Sequence, residues 1–276
     1  NNKRQKSKRL WTKNAPGPAI RVLEVKDEEE EALWVAGAIR EARSAAPEAM
    51  VAVLYRTNAQ SRALEQALIN LEIPYEIFGG IKFYERREIK DAVAALRLAL
   101  NPKDALSRDR LQKNLTKGAL RKFEEALGPL GTAAPLRLVE AFLAATGYLG
   151  RIEKEFTNAE ERKENLRELI RFASKFENLG SFLEQISLLQ RTDAGSKGEP
   201  VILEPHGAQP KRSGPPVRLT PIHLSKGLAF DRVFLAGCSE GLLPHGRALG
   251  DENELEEERR LMYVAMTRAK RELIIT

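Results

Sequence analysis

Short apolar segments alternate with amphipathic helical segments over the first hundred residues. This alternation predicts strands and helices in turn, with strands at 19–25 ("AIRVLEV"), 49–55 ("AMVAVLY") and 75–80 ("YEIFGG") and helices at 27–46, 61–71 and 87–101. The strand at 49–55 is apolar at almost every position, which is typical of a strand covered on both faces. Strands alternating with helices favour a parallel α/β sheet flanked by helices.

The alternation stops after residue 102 and returns only near residue 217. Residues 103–192 show helical spacing throughout, and residues 193–216 are rich in Gly, Pro and charge, which predicts a mobile loop. Strand patterns return in "VRLT", "RVFLAGC" and "ELIIT". We therefore predict an α/β domain made of residues 1–102 and 217–276, with an all-helical insertion subdomain at 103–192 and a loop at 193–216.

The charge balance favours a polyanionic partner. The net charge is +6 and the isoelectric point is about 9.4, although a basic arm at residues 1–14 carries part of this excess. Cys238 is the only cysteine, which excludes an internal disulfide and indicates a reducing, cytoplasmic setting. With three scattered histidines, His206 among them, no metal site is expected. No apolar run reaches the roughly 20 residues that span a bilayer, so no membrane partner is expected.

One arginine stands where a helical pattern requires an apolar residue. In "EEERRLMYVAMTRAKREL" (256–273), Leu261 and Ala265 lie on one stripe of a predicted helix and Arg268 is the next member of that stripe. A charge on a packed face needs an anion, which another part of the protein or a ligand would supply. Alternatively, Arg268 interacts with the helix C-terminus and extends to solvent beside Lys270. The residues alone leave both interpretations open.

Three long segments resemble one family in order and in approximate spacing. They are 51–68 ("VAVLYRTNAQSRALEQAL") with 75–91 ("YEIFGGIKFYERREIKD"), 219–245 ("LTPIHLSKGLAFDRVFLAGCSEGLLPH") and 256–269 ("EEERRLMYVAMTRA"). Together they resemble the C-terminal half of the UvrD/PcrA/Rep-type superfamily-one DNA helicases. The likeness is strong over 8–101 and 215–276 and weaker in the helical middle.

The resemblance implies that the α/β part is the second of two RecA-like motor domains. ATP and Mg²⁺ would lie between the two, with the phosphate-binding loop supplied by an N-terminal RecA-like domain. Arg268 would be the arginine finger that reaches the γ-phosphate. Lys226 and Gly227 would lie near the nucleotide.

The resemblance also implies a track for single-stranded DNA formed in part by Arg56, Asn58 and His223. Helix capping by Asn58 and Ser61 is an equally good interpretation of "TNAQSR". The stretch "GGIKFYERREIKD" is interpreted mainly as architectural, with its charged side chains pairing with one another.

Several positions depart from the family pattern. Pro221 replaces the usual Thr before Ile-His, and Ala229 replaces a Glu expected near the nucleotide sugar. The segment 106–123 also lacks the family's Arg-Gly-Ile-Gly turn, which is thought to touch duplex DNA.

The 276 residues contain neither Gly-Lys-Ser nor Gly-Lys-Thr, so a phosphate-binding loop is not expected in this chain. The resulting prediction is the C-terminal portion of a 3′-to-5′ ATP-dependent DNA helicase that acts on single-stranded and duplex DNA, with a role in repair. The fragment alone should not hydrolyse ATP. The alternatives are a non-catalytic nucleic-acid or protein interaction module derived from a helicase, or a RecB-like helicase-nuclease subunit.

Overall fold

The computed structural model describes residues 16–130, 133–194 and 214–276. The chain divides into two compact units, one formed by Asn1–Gly80 with Lys211–Thr276 and the other by Ile81–Pro210. The basic arm at 1–14, most of the predicted loop at 193–216 and His206 lie outside the described residues.

The first unit contains a six-stranded sheet. Its strands are β1 (Arg21–Val22), β2 (Val51–Tyr55), β3 (Tyr75–Ile77), β4 (Val217–Pro221), β5 (Phe230–Leu235) and β6 (Ala269–Ile275). All neighbouring strands are parallel, in the order β1-β6-β5-β2-β4-β3. The last three strands therefore enter a sheet that the first three began, which confirms a parallel α/β sheet that is discontinuous in sequence.

The helices of this unit are α1 (Glu28–Ala45), α2 (Ser61–Asn70) and, near the C-terminus, the helix Glu252–Met266, numbered α10. Strand β2 shows how they cover the sheet: Val53 packs into a core with α1 and α2, whereas Leu54 packs into a second core with Ala265 of α10. Every residue of β2 is buried, as the continuous apolar pattern predicted.

Helix ends are fixed by acidic caps. The Asp27 carboxylate accepts the Glu30 N–H at 2.9 Å at the start of α1, and the Asp251 carboxylate accepts the Asn253 N–H at 2.7 Å at the start of α10. Each bond satisfies a backbone donor that has no partner within its helix. The predicted helix at 256–273 is wrong at its C-terminal end, because α10 ends at Met266 and β6 begins at Ala269.

The second unit is helical. Its helices are α3 (Arg87–Leu100), α4 (Ala105–Asn114), α5 (Lys117–Leu130), α6 (Pro135–Thr146), α7 (Tyr148–Glu155), α8 (Ala159–Ala173) and α9 (Leu179–Ala194). Gly147 separates α6 from α7 because it adopts a left-handed conformation with φ of 60°. No helix in the described part of the chain is both long and apolar enough to cross a bilayer.

Helix α3 packs within the helical unit. Along the chain, the division between the compact units falls between Gly80 and Ile81, whereas the sequence pattern suggested a helical subdomain that starts at residue 103. The pattern of alternating strands and helices includes α3, but α3 has many buried residues and lies against α4, α6, α8 and α9.

Candidate nucleotide and nucleic-acid sites

The residues singled out from the sequence lie at two edges of the sheet. Arg56 follows β2 and His223 follows β4, which places both beyond the carboxyl ends of strands. Arg268 directly precedes β6 and Lys226 precedes β5, which places both before amino ends. In a parallel sheet these ends form opposite edges, so the candidate residues form two groups. We call them the carboxyl-edge site and the amino-edge site.

Arg268 lies in the short connection between α10 and β6. Its Nε donates to the Val264 carbonyl at 2.9 Å, its Nη1 to the Leu228 carbonyl at 2.8 Å and its Nη2 to the Thr267 hydroxyl at 2.9 Å. The Val264 carbonyl belongs to the last turn of α10, where the helix dipole is negative. The expected stabilisation of Arg268 by a helix C-terminus is therefore present, although Arg268 lies outside the helix.

The charge of Arg268 has no acidic partner among the described residues, since each of its contacts is to a carbonyl or hydroxyl oxygen. The guanidinium has five N–H groups, so two remain without a partner. The side chain is half-buried. An arginine held in this way has both the charge and the hydrogen-bond donors to accept an anion.

Lys226 and Gly227 form a tight turn next to Arg268. The Leu228 N–H donates to the Ser225 carbonyl at 3.0 Å, which closes the turn. Gly227 has φ of +86°, a conformation that other residues adopt at a cost. Lys226 is exposed and makes neither a hydrogen bond nor an ion pair within the described chain. The turn thus adds a second available cation and supplies the Leu228 carbonyl that holds Arg268.

The carboxyl-edge site is organised around Arg56 and Glu258. The Nε of Arg56 lies 3.0 and 3.1 Å from the two Glu258 oxygens, and Nη2 lies 2.8 Å from Oε1. The second oxygen of Glu258 also accepts the backbone N–H of His245 at 3.0 Å. In this structure, Arg56 is therefore neutralised by a carboxylate of the same chain.

Glu258 is ionised in this setting. Burial alone would raise the pKa of its carboxyl, but the hydrogen bonds from Arg56 and from the His245 backbone outweigh burial and hold the pKa below its ordinary value.

The other two predicted nucleic-acid residues lie in short 3₁₀ helices. Asn58 begins the one at Asn58–Gln60, and His223 is exposed in the one at Ile222–Leu224. The capping contacts seen here come from Gln60, whose Oε1 accepts the N–H groups of Arg56 and Thr57, each at 2.9 Å.

Ser61, the other residue expected to cap, instead donates to Glu65 of its own helix at 2.7 Å. The Gln60 side chain thus supplies a capping contact in this segment.

The acidic residues of "REIKD" are buried in the helical unit. Glu88 accepts the Asn165 side-chain amide at 2.7 Å, and Asp91 accepts the Tyr148 hydroxyl at 2.7 Å and pairs with Arg110 at 2.7 Å. Burial and the nearby Asp91 carboxylate raise the pKa of Tyr148 above its ordinary value. These partners come from other helices, whereas the sequence predicted that the charged side chains of the stretch pair with one another.

Cys238 is a free, half-buried cysteine that lies three residues beyond β5. Burial and the nearby Glu31 raise the pKa of the Cys238 thiol to about 12, so this thiol stays protonated at neutral pH. In the described ranges, no three His, Cys, Asp or Glu side chains are grouped so as to hold a metal ion.

Glu258 and His245 also belong to the carboxyl-edge site but were not predicted from the sequence. Glu258 lies on the same helical stripe as Leu261 and Ala265, so the reasoning that singled out Arg268 applied to it as well. His245 has no such signal, because only its backbone is used in this contact.

The parallel sheet flanked by helices and the two cationic edges define a RecA-like α/β domain accompanied by a helical unit. The sequence profile described as "UvrD-like helicase C-terminal domain" matches residues 1–146 and 137–276. The chain belongs to this family, as its motifs predicted.

Curated relatives agree with this assignment. The chain is 33% identical to the probable DNA helicase II homolog of Rickettsia felis, over 100% of this chain and 47% of that protein. It is also 33% identical to the ATP-dependent DNA helicase PcrA of Bacillus subtilis, over 100% of this chain and 43% of that protein. It is 33% identical to the ATP-dependent DNA helicase UvrD1 of Mycobacterium tuberculosis, over 99% of this chain and 42% of that protein.

The chain spans less than half the length of these relatives. The Rickettsia alignment extends over 326 positions against the 276 residues of the chain, so that relative also contains residues with no counterpart here.

Proposed function

We propose that this chain is the C-terminal portion of an ATP-dependent DNA helicase that moves 3′-to-5′ on single-stranded DNA, unwinds duplexes and acts in DNA repair. The sheet-bearing unit is the second motor domain, and the helical unit is its insertion. The observation that carries the proposal is the geometry of Arg268, which is held by carbonyls at the amino edge without an acidic partner among the described residues.

The amino-edge site fits a nucleotide phosphate. Arg268 has two N–H groups available and Lys226 is an exposed cation, and both properties suit the γ-phosphate of ATP. When bound, ATP with Mg²⁺ would supply the phosphoryl group whose charge Arg268 stabilises. An N-terminal RecA-like domain of the same protein would contribute the phosphate-binding loop and the Mg²⁺ carboxylates.

The carboxyl-edge site supplies part of the DNA track. Arg56 is a quarter exposed and has donors left over, and His223 is exposed beyond the adjacent strand β4. With Asn58, these side chains suit contacts to the backbone of a single strand that do not depend on its sequence.

The decisive test replaces Arg268 by Ala in the full-length protein. Because an arginine finger contributes roughly a thousandfold or more to hydrolysis, DNA-stimulated ATPase activity should fall by about that factor. The matched control is Lys270→Ala, which removes an exposed cation two residues away and should leave the activity near wild type.

ATPase activity undiminished in Arg268→Ala would exclude the proposed finger. The same preparation should show an ATP-dependent change in affinity for single-stranded DNA. DNA binding that never responds to nucleotide would favour the non-catalytic interaction module instead.

A further inference from the structure

Thr267 follows the last residue of α10 and directly precedes Arg268. Its hydroxyl donates to the Val264 carbonyl at 2.9 Å, and the same oxygen accepts the Nη2 N–H of Arg268 at 2.9 Å. A threonine hydroxyl has one hydrogen and two lone pairs. Because the hydrogen is used on the carbonyl, the oxygen faces the guanidinium only as an acceptor.

The Val264 carbonyl closes this contact into a ring. It accepts the Thr267 hydroxyl and also the Nε N–H of Arg268, each at 2.9 Å. Two nitrogens of the guanidinium are thus bound at the end of α10, and the Leu228 carbonyl binds the third at 2.8 Å. One N–H then remains on Nη1 and one on Nη2. Such a pair of donors can bind two oxygens of one phosphate group.

Another helix end has the same hydroxyl contact without an arginine. Ser174 is the C-cap of α8, as Thr267 is of α10, and its hydroxyl donates to the Arg171 carbonyl at 2.8 Å. Both hydroxyls are exposed, and each satisfies the carbonyl three residues earlier, an acceptor that a helix end leaves open. Within the described chain, the Ser174 hydroxyl accepts no hydrogen bond. Thr267 therefore differs from an ordinary cap by its contact to a cation.

We propose that Thr267 is a positioning residue for ATP hydrolysis, whose hydroxyl holds the Arg268 guanidinium in the orientation that meets the γ-phosphate. This inference rests on the proposed function, since it takes Arg268 as the arginine finger. Donors that are oriented before the reaction stabilise the transition state without the cost of reorganising at that moment. A guanidinium that has lost one of its three supports must lose more conformational freedom on reaching the phosphate.

The experiment measures kcat and KM for ATP in the DNA-stimulated ATPase reaction of the full-length protein. Thr267→Val keeps the shape of the side chain but removes the hydroxyl, and it should lower kcat about threefold to tenfold. The KM for ATP should stay within about twofold of wild type, because a finger acts on charge that develops in the transition state. Thr267→Ser restores the hydroxyl and should return kcat to near the wild-type value.

Ser174→Ala is the matched control, since it removes an equivalent capping hydroxyl that contacts no cation in the described chain. Its kcat should equal that of wild type. A double variant tests whether Thr267 acts through the guanidinium. In the Arg268→Ala background, Thr267→Val should lower kcat no further, because the group that it positions is already absent.

Unchanged kcat in Thr267→Val, together with a large loss in Arg268→Ala, would overturn the positioning role and leave the proposed function standing. The same conclusion follows if Thr267→Ser is as impaired as Thr267→Val, since the hydroxyl is then not the cause. A raised KM with unchanged kcat would assign Thr267 to ground-state binding and contradict the inference. Undiminished ATPase activity in Arg268→Ala would instead count against the finger itself.

Thr267 is exposed at a helix end, so its substitution should leave the fold intact. Thermal melting of each variant checks this expectation. If Thr267→Val is unfolded, Thr267→Ala is measured in its place and should show the same lowered kcat with an unchanged KM. Wild-type kcat in Thr267→Ala would overturn the inference.

Discussion

Arg268 and Arg56 lie at opposite edges of one sheet and differ in what surrounds their charge. Arg268 is held by carbonyl and hydroxyl oxygens, which orient it but leave its charge without an acidic partner in the described structure. Arg56 is held by a buried carboxylate, which orients it and neutralises it. The first arrangement suits an anion that comes and goes, because the guanidinium attracts it without competition. The second holds the guanidinium in one orientation and offsets its charge within the chain.

Helix α10 connects the two arrangements. Glu258 lies within the helix, and Arg268 follows its last turn, so a rise of 1.5 Å per residue separates Glu258 from Met266 by about 12 Å along the axis. A displacement of α10 would thus move the supports of both arginines together. This geometry gives a physical route by which nucleotide and DNA could influence each other in the proposed motor.

The comparison predicts different costs in stability for the two arginines. Arg56→Ala leaves the buried Glu258 carboxylate without its main partner and should lower the free energy of unfolding by about 2 kcal/mol, reduced from the cost of a fully buried pair because Arg56 is partly exposed. Arg268→Ala removes hydrogen bonds to carbonyls at a half-exposed site and should cost below about 1 kcal/mol. Urea denaturation of both variants measures the difference. Equal costs would show that the two environments do not differ as described.

The pH dependence of stability provides a second comparison between the surroundings of Arg56 and those of Arg268. The folded-state pKa of Glu258 is lowered from 4.5. The ionised Glu258 carboxylate therefore contributes fully to the free energy of unfolding above pH 4.5, and this contribution is lost as the pH falls through the lower folded-state pKa. Wild type and Glu258→Gln should therefore differ most in stability above pH 4.5 and converge below it.

Denaturation at several pH values between 3 and 7 provides the measurement. Arg268→Ala serves as the control, since Arg268 has no acidic partner within the described ranges that could impose the same dependence. A constant difference between wild type and Glu258→Gln over this range would contradict the assignment.

The smallest expected effect concerns the turn that supports Arg268. Gly227→Ala meets no neighbouring atom within 4 Å but must adopt φ of +86°, which costs about 1 kcal/mol. Gly37→Ala provides the matched comparison, because its Cβ also enters open space but lies inside α1, where Ala is favoured by about 1 kcal/mol. The two substitutions should thus shift the melting temperature in opposite directions, and a shift of the same sign would argue against the left-handed turn at Gly227.

The alternation of apolar runs and helices by itself determined the strands, the helices and the class of fold. Strand β2 is a clear case, since its unbroken apolar run required cover on both faces. This success has a local cause, because the side-chain periods of helices and strands are visible over a few residues. The end of α10 was not visible, since "MTRAKREL" contains no Gly or Pro to stop a helix and the strand that follows it begins with charged residues.

The long-range partners of Arg56 and Arg268 were decided by the tertiary structure alone. Glu258 lies 202 positions from Arg56, and Leu228 lies 40 positions from Arg268, so neither contact leaves a local periodic signal. The sequence placed Glu258 and Arg268 on one predicted helical stripe, although only Glu258 lies within α10. Only the packing of β2, β5 and β6 into one sheet brings Arg56 to Glu258 and the Leu228 carbonyl to Arg268. Such long-range neighbours are set by strand order and not by sequence spacing.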